Sequence, residues 1–276
     1  MATPGLSANH KLASEEPEKY IAMACDDTWV LTPRLEEWNY YDKLRWMGFV
    51  MPWTYLWVTY DEEIKTMQDF VGKRVNIKRK GALDVPFCEE VLKRAGIFDK
   101  VAALEYAGFG GNKSNLKDGL VDVALTMPNH ILPAAFSKGS YIEDLETRAP
   151  IYYISWSADI VKEVAELPFS ENLGFSLTTI FPGALDAKTQ PEAINAALMT
   201  AFIGVDERMP DDVVLEVTRV LWERAGQFGI WHPMGHNMTR ELIATYYRWP
   251  ELVHPGFAKF VEEQGAELRN VTELFP

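Results

Sequence analysis

Between Asp69 and Met127 the apolar positions change period several times, and each change marks an element. Gly72-Lys73-Arg74-Val75-Asn76-Ile77 is a β-branched run leading into Lys78-Arg79-Lys80-Gly81. From Val85 to Ala95 apolar residues recur at helical spacing until Gly96 stops them. Val101 to Tyr106 then reads as a strand, Leu116-Lys117-Asp118-Gly119 closes a short helix, and Val121-Asp122-Val123-Ala124-Leu125 is a strand of the fully buried kind. Strands alternating with helices predict βαβ units on a largely parallel sheet. Ligands of such sheets sit beyond the carboxyl ends of the strands. A site is therefore expected where Lys80 to Asp84, Phe109 to Asn112 and Met127 to Asn129 converge.

Elsewhere, Ile21 to Ala24 reads as a strand that turns polar at Asp26-Asp27-Thr28, and Arg45 to Tyr60 as two strands broken at Pro52. The second stretch is rich in Trp and Tyr. It predicts either an aromatic sheet face or a wall of a pocket at Trp53 or Trp57. Strands are expected at Ile151–Ser155 and Leu177–Ile180, the latter ending in the turn Phe181-Pro182-Gly183, and a returning central strand at Ile194–Val205. Helices are expected at Ala158–Ala165, from Pro210 through Val213–Gly226, over Met238–Tyr247 and over Phe257–Gln264. No internal repeat or low-complexity tract occurs.

At 276 residues and 47% hydrophobic, the chain can bury a full core. A net charge of −13 argues against a nucleic-acid partner, whose phosphates require clustered Lys and Arg. Cys25 and Cys88 make no disulfide framework and have no zinc-ligand spacing. They read as two small buried residues, with a single bridge between them as the alternative. Met1 to Lys19 has neither the basic start nor the apolar core of a secretory signal. Phe49 to Val58, the most apolar stretch, contains Pro52 and falls far short of the roughly twenty residues of a membrane span.

The basic loop before Val85 suggests an anion site at a helix N-terminus, with Lys80 as the candidate cation. Asp84 competes with that reading, since it can cap the same N–H groups with Pro86 just inside the helix. Asp27 and Thr28 could hold an amine or hydroxyl. Asn129 is preferred to His130 as a contact because an amide both donates and accepts. His232 and His236 are spaced like a metal pair, but Pro233 and Gly235 exclude the helix that would give the spacing meaning. His254 reads as a turn and packing residue. No GxSxG, phosphate loop, HExxH or dinucleotide fingerprint is present, and no cofactor is called for.

Three segments carry a family resemblance: Met67-Gln68-Asp69-Phe70-Val71-Gly72-Lys73-Arg74-Val75, Leu116-Lys117-Asp118-Gly119-Leu120-Val121-Asp122-Val123-Ala124, and Val253-His254-Pro255-Gly256-Phe257-Ala258-Lys259-Phe260 followed by Glu263-Gln264-Gly265. Together with Pro210 to Leu221, the set resembles the TAXI solute receptors of TRAP-type transporters over about Tyr20 to Gly265. The resemblance implies the α/β, two-lobed periplasmic-binding-protein type 2 fold, with residues 1–68 and 186–276 as lobe one and 69–185 as lobe two. It implies a non-enzymatic subunit that binds a small organic anion, such as a carboxylate or amino acid, and delivers it to membrane subunits from the periplasmic side. The expected ligand contacts are Asp27, Thr28, Trp53, Lys80, Gly81, Ala82, Asp84, Phe109, Asn112, Met127, Asn129 and Phe181.

Three departures accompany it. The family's first strand and Gly-rich loop have no counterpart before Tyr20, so lobe one is expected to be short of its first strand–helix unit. No export signal is found, which leaves a cytoplasmic location open. Gly81-Ala82-Leu83-Asp84 replaces a hydroxyl-rich loop. An enzyme of the same fold, like those that form the thiamine pyrimidine, and a ligand-sensing derivative without transport are the alternatives.

Overall fold

A computed structural model describes residues 12–13, 15–25, 43–80, 82, 84–167, 175–247 and 249–274. Its axis is a ribbon of two long antiparallel strands, β2 Leu44–Thr59 and, far along the chain, β10 Ile194–Asp206, with the short β1 Ala22–Cys25 on the outer edge of β10. β2 and β10 pair from Leu44 opposite Asp206 to Tyr55 opposite Ala197. The expected break at Pro52 does not occur. Pro52 lies within β2 opposite Thr200, and the register instead slips twice just beyond it, between Ala201 and Phe202 and between Phe202 and Gly204. Each slip leaves an extra residue on β2, and Gly48, at φ 132°, supplies a backbone conformation that side-chain-bearing residues avoid. Bulges therefore bend the strand where two strands were expected.

Around the far half of the ribbon lie β3 Arg74–Ile77, β4 Ala103–Tyr106, β5 Val123–Thr126, β8 Tyr152–Ile154 and β9 Ser176–Ile180. The main path of the eight-stranded sheet runs β1-β10-β2-β5-β3-β4, with β8 on β2 and β9 on β10. β3 pairs in parallel with both β4 and β5, as the βαβ pattern requires. One face is covered by α1 Asp84–Arg94 and, later in the chain, α4 Ala158–Ala165, whose Phe87, Val91, Leu92, Val161 and Val164 pack with Trp57, Val75 and Ile77. The opposite face carries α2 Phe109–Lys117 and α3 Ser140–Glu146, through Leu116, Ile142 and Leu145 against Leu56 and Val58. Successive residues of β2 thus serve opposite cores.

The near half of the ribbon is buried likewise on both faces. One face meets α5 Asp211–Glu223 and α7 Pro255–Glu263 through Val214, Trp222, Phe257 and Phe260. The other buries Trp46, Phe49 and Phe202 with Leu242 and Tyr247. The chain is a mixed α/β protein with one eight-stranded sheet continuous through both halves. The helix expected over Met238–Tyr247 is only α6, Arg240–Ile243, because the chain then extends as β11 Thr245–Tyr246 to pair with β12 Arg269–Asn270. Pairing with a distant segment overrides local propensity there.

His254 is the packing residue its turn suggested. Its Nδ1 accepts from the Gly256 N–H at 3.1 Å, so its Nε2–H faces the Met209 carbonyl, also at 3.1 Å. A Cβ at Gly256 would stand 2.7 Å from the Asp211 carbonyl oxygen. The His-Pro-Gly turn therefore exists to seat the start of α7 against the start of α5.

Candidate functional site

Val75 and Ile77 point into the core beneath α1, while Asn76 points the other way, where its Oδ1 accepts from Asn115 at 2.7 Å. The next residue, Lys78, is where the strand ends and the lobe's polar chemistry begins. Lys78 is 8% exposed and Asp84, the first residue of α1, 3%. Lys78 Nζ lies 3.4 Å from Asp84 Oδ2. Three rings enclose the ammonium: Phe109 of α2 with its centroid at 3.6 Å, and Trp53 and Tyr55 of β2 at 5.8 and 5.9 Å. Each can offer the negative face of its π-system to the cation. Behind them the Tyr55 hydroxyl lies 2.9 Å from Met199 Sδ, and Phe87 stacks on Phe175 at 3.7 Å.

Three buried polar atoms near this cluster have no hydrogen-bond partner. They are Asp84 Oδ1, Trp53 Nε1 and Asn112 Oδ1. Asn112 stands one turn beyond Phe109 and is 1% exposed, with its Nδ2 donating to the Leu125 carbonyl at the end of β5 at 2.8 Å. Native interiors satisfy nearly all such atoms, so the orphaned atoms on Asp84 and Trp53, the two residues shown beside the Lys78 ammonium, call for a ligand or water to complete them. Burial raises the Asp84 carboxyl above its usual range, opposed by the Lys78 charge and a hydrogen bond from Tyr55. The site can offer a carboxylate one cation and one indole N–H, and an ammonium two oxygens and aromatic faces.

Three expected contacts meet here, Trp53, Asp84 and Phe109, while Asn112 stands one turn along α2 with its amide on the end of β5. Lys80 does not. It is exposed, with its ammonium over the Tyr106 ring at 4.7 Å, and Lys78 is the cation in the box. Lys78 was legible as part of the basic loop, but only its place directly after the last strand residue distinguishes it. Ala82 is half-buried on the core beside α1 and supports the turn through its N–H to the Arg79 carbonyl at 3.1 Å. Asn129 is committed elsewhere. Its Nδ2 donates to Lys138 O at 2.8 Å and Ser137 Oγ at 3.2 Å, closing a hairpin of β6 Asn129–Ile131 and β7 Ala135–Ser137. That hairpin lies on the face of β2 bearing Thr54, opposite Trp53 and Tyr55, since Thr54 Oγ1 is 2.8 Å from His130 Nδ1. Met127, half-buried, leads into it. Phe181 is 55% exposed on the rim of a separate groove of about 710 Å³, lined also by Pro133, Lys162, Glu166, Thr178 and Thr272. Asp27, Thr28 and Gly81 lie outside the described residues.

His232 and His236 take turn roles. His232 Nδ1 accepts from the Met234 N–H at 3.1 Å, and His236 lies against Gly229. Among the described residues no cluster of three or more metal-ligating side chains forms, and no helix is long and apolar enough to cross a membrane.

A family model described as the NMT1-like family matches residues 33–265. The chain belongs to the NMT1-like family. Solved structures similar to this NMT1-like chain include the periplasmic aliphatic sulphonate binding protein SsuA from Escherichia coli, at TM-score 0.46 and 12% identity over 93% of this chain and 70% of that one. A binding protein component of an ABC phosphonate transporter from Pseudomonas aeruginosa gives 0.45 and 10% over 80% and 61%. A structure from work on glutathione import via GshT and the cystine ABC importer TcyBC of Streptococcus mutans gives 0.38 and 12% over 73% and 63%. The chain thus spans less than two thirds of the latter two proteins. The match is at the level of the NMT1-like family and does not reach the TAXI kind.

Proposed function

We propose that this NMT1-like protein is the solute-binding subunit of a TRAP-type transporter of the TAXI kind. On this reading it takes a small carboxylate or amino acid between lobe one, residues 1–68 and 186–276, and lobe two, residues 69–185, and presents it to membrane subunits outside the cytoplasm. The observation that carries the reading is the pair of unpartnered atoms, Asp84 Oδ1 and Trp53 Nε1, on the residues beside Lys78. Lys78 and Trp53 Nε1–H bind the carboxylate, Asp84 Oδ1 and Asn112 Oδ1 an amino group if the solute has one, and Phe109 and Tyr55 its apolar body. Closure follows only if the solute binds the closed arrangement more tightly than the open one.

The test is a thermal-shift screen of the purified chain against amino acids, dicarboxylates, oxo acids and amines, followed by calorimetry on the responders. The double variant Lys78→Met/Asp84→Leu removes both charges and is expected to lose binding of a carboxylate at least a hundredfold while Lys80→Ala retains it. Equal affinity in the double variant and the wild type would refute the assignment of the site.

A further inference from the structure

The β6–β7 hairpin is rooted in one half of the molecule and seated in the other. At its root, Lys138 Nζ is held by Glu146 and Asp186 at 2.8 and 3.0 Å, and Phe136 packs against the core of Leu56 and Val58. Its tip reaches across. Leu132 packs against the cluster of Trp46, Phe49, Phe202, Leu242 and Tyr247 in the near half of the sheet. There Asn237, fully buried, treats the hairpin as a neighbouring strand would. Its Oδ1 accepts from the Leu132 N–H at 2.8 Å and its Nδ2 donates to the His130 carbonyl at 2.8 Å. The His130 N–H in turn meets Met234 Sδ at 2.9 Å. Asn237 is itself fixed, since its Nδ2 also reaches the Met234 carbonyl at 3.0 Å.

Any hinge motion of the far half away from the near half must pull Leu132 from its apolar seat and break both Asn237 bonds. The cost is asymmetric. With the lobes together Asn237 pairs the His130 carbonyl and the Leu132 N–H, and water replaces it once they part, so loss of the Asn237 amide penalises only the joined arrangement. We infer that the β6–β7 hairpin is a clasp between the lobes, with Asn237 as its catch, and that it biases the protein toward the closed arrangement before any solute arrives. This inference rests on the two-lobed reading above. It implies that the solute enters through a minor unclasped population, so that Asn237 tunes affinity and entry rate without touching the solute.

Hydrogen–deuterium exchange read by mass spectrometry on the full chain, with no solute added, tests it. In Asn237→Leu the amides of residues 129–137 and 233–238 are expected to exchange roughly tenfold faster or more, while those of β3, β5 and α7 keep their rates. Leu132→Ala, a milder change at the seat, is expected to give the same two-sided pattern with smaller amplitude. Unchanged exchange in the hairpin, a rise on one side only, or an equal rise throughout the chain would each overturn the clasp. Because no solute is present, a failure here is separate from a failure of the Lys78 site, which calorimetry reads.

Discussion

Acidification should loosen this protein at His130 first. The imidazole is fully buried, stacked on Phe136 at 4.1 Å, with Nδ1 accepting from Thr54 and Nε2–H facing the Pro133 carbonyl at 3.4 Å. Burial pushes it down from its ordinary 6.5 to about 4, and the Pro133 carbonyl only partly opposes this. The folded state therefore binds a proton less readily than the unfolded chain. The stability His130 contributes is fully present above about pH 6.5 and is lost as pH falls toward about 4, where the folded form also protonates. A difference of about 2.5 units at 1.36 kcal/mol each amounts to about 3 kcal/mol, a large share of an ordinary domain's stability. Urea unfolding at pH 7, 6, 5 and 4.5 measures it against His130→Asn, which keeps a polar side chain but does not titrate. The other shifted groups are common to both proteins and cancel, including Asp186, which its Lys138 contact holds near 2, below the window. Wild type should lose stability at up to about 1.4 kcal/mol per pH unit more steeply than the variant. Parallel curves would show that His130 does not carry its charge cost in the folded state, and the reasoning would fail.

Other outcomes follow from the same packing. Lys78→Met alone leaves Asp84 buried without its counter-ion and should cost about 3 kcal/mol in urea unfolding, whereas Lys78→Met/Asp84→Leu should restore most of it. Lys80→Ala, an exposed change, should stay within about 0.5 kcal/mol of wild type. Gly256→Ala drives a methyl group into the Asp211 backbone and should cost about 1–3 kcal/mol, read as a lowered Tm. Cys88 is a free, buried thiol pushed up by burial first and by the Asp84 charge next, so in a Cys25→Ser background it should react with a thiol reagent only as fast as the protein unfolds.

Much of this architecture could be read from local pattern. The helix Ala158–Ala165 follows from its period, since it buries one face, and the central strand from Ile194 follows from an unbroken apolar run, since it is buried on both. Of the three loops expected to converge, those after Ile77 and Tyr106 place Asp84 and Phe109 against Lys78, whereas the one after Leu125 leads to a hairpin on the other face of β2. What escaped was non-local. Pro52 looks like a break until β10 is laid beside it and the bulges are seen to absorb the mismatch. Lys78 and Lys80 are equivalent as letters in a basic loop, and only the rings of β2 and α2 select the first. Asn129 looked available because its partners, Ser137 and Lys138, belong to a hairpin that no turn dipeptide announces.

The β2–β10 ribbon also bears on how the chain is made. Tyr55 must wait for Ala197 to emerge from the ribosome before the sheet can close between them. Until then β2, the strand on which both halves are built, presents Trp46, Phe49 and Tyr55 without the neighbour that flanks them in the finished fold. A nascent chain stalled before Ile194 should thus be a strong client for chaperones that recognise aromatic strands, and neither half should fold autonomously when expressed as a fragment without β10.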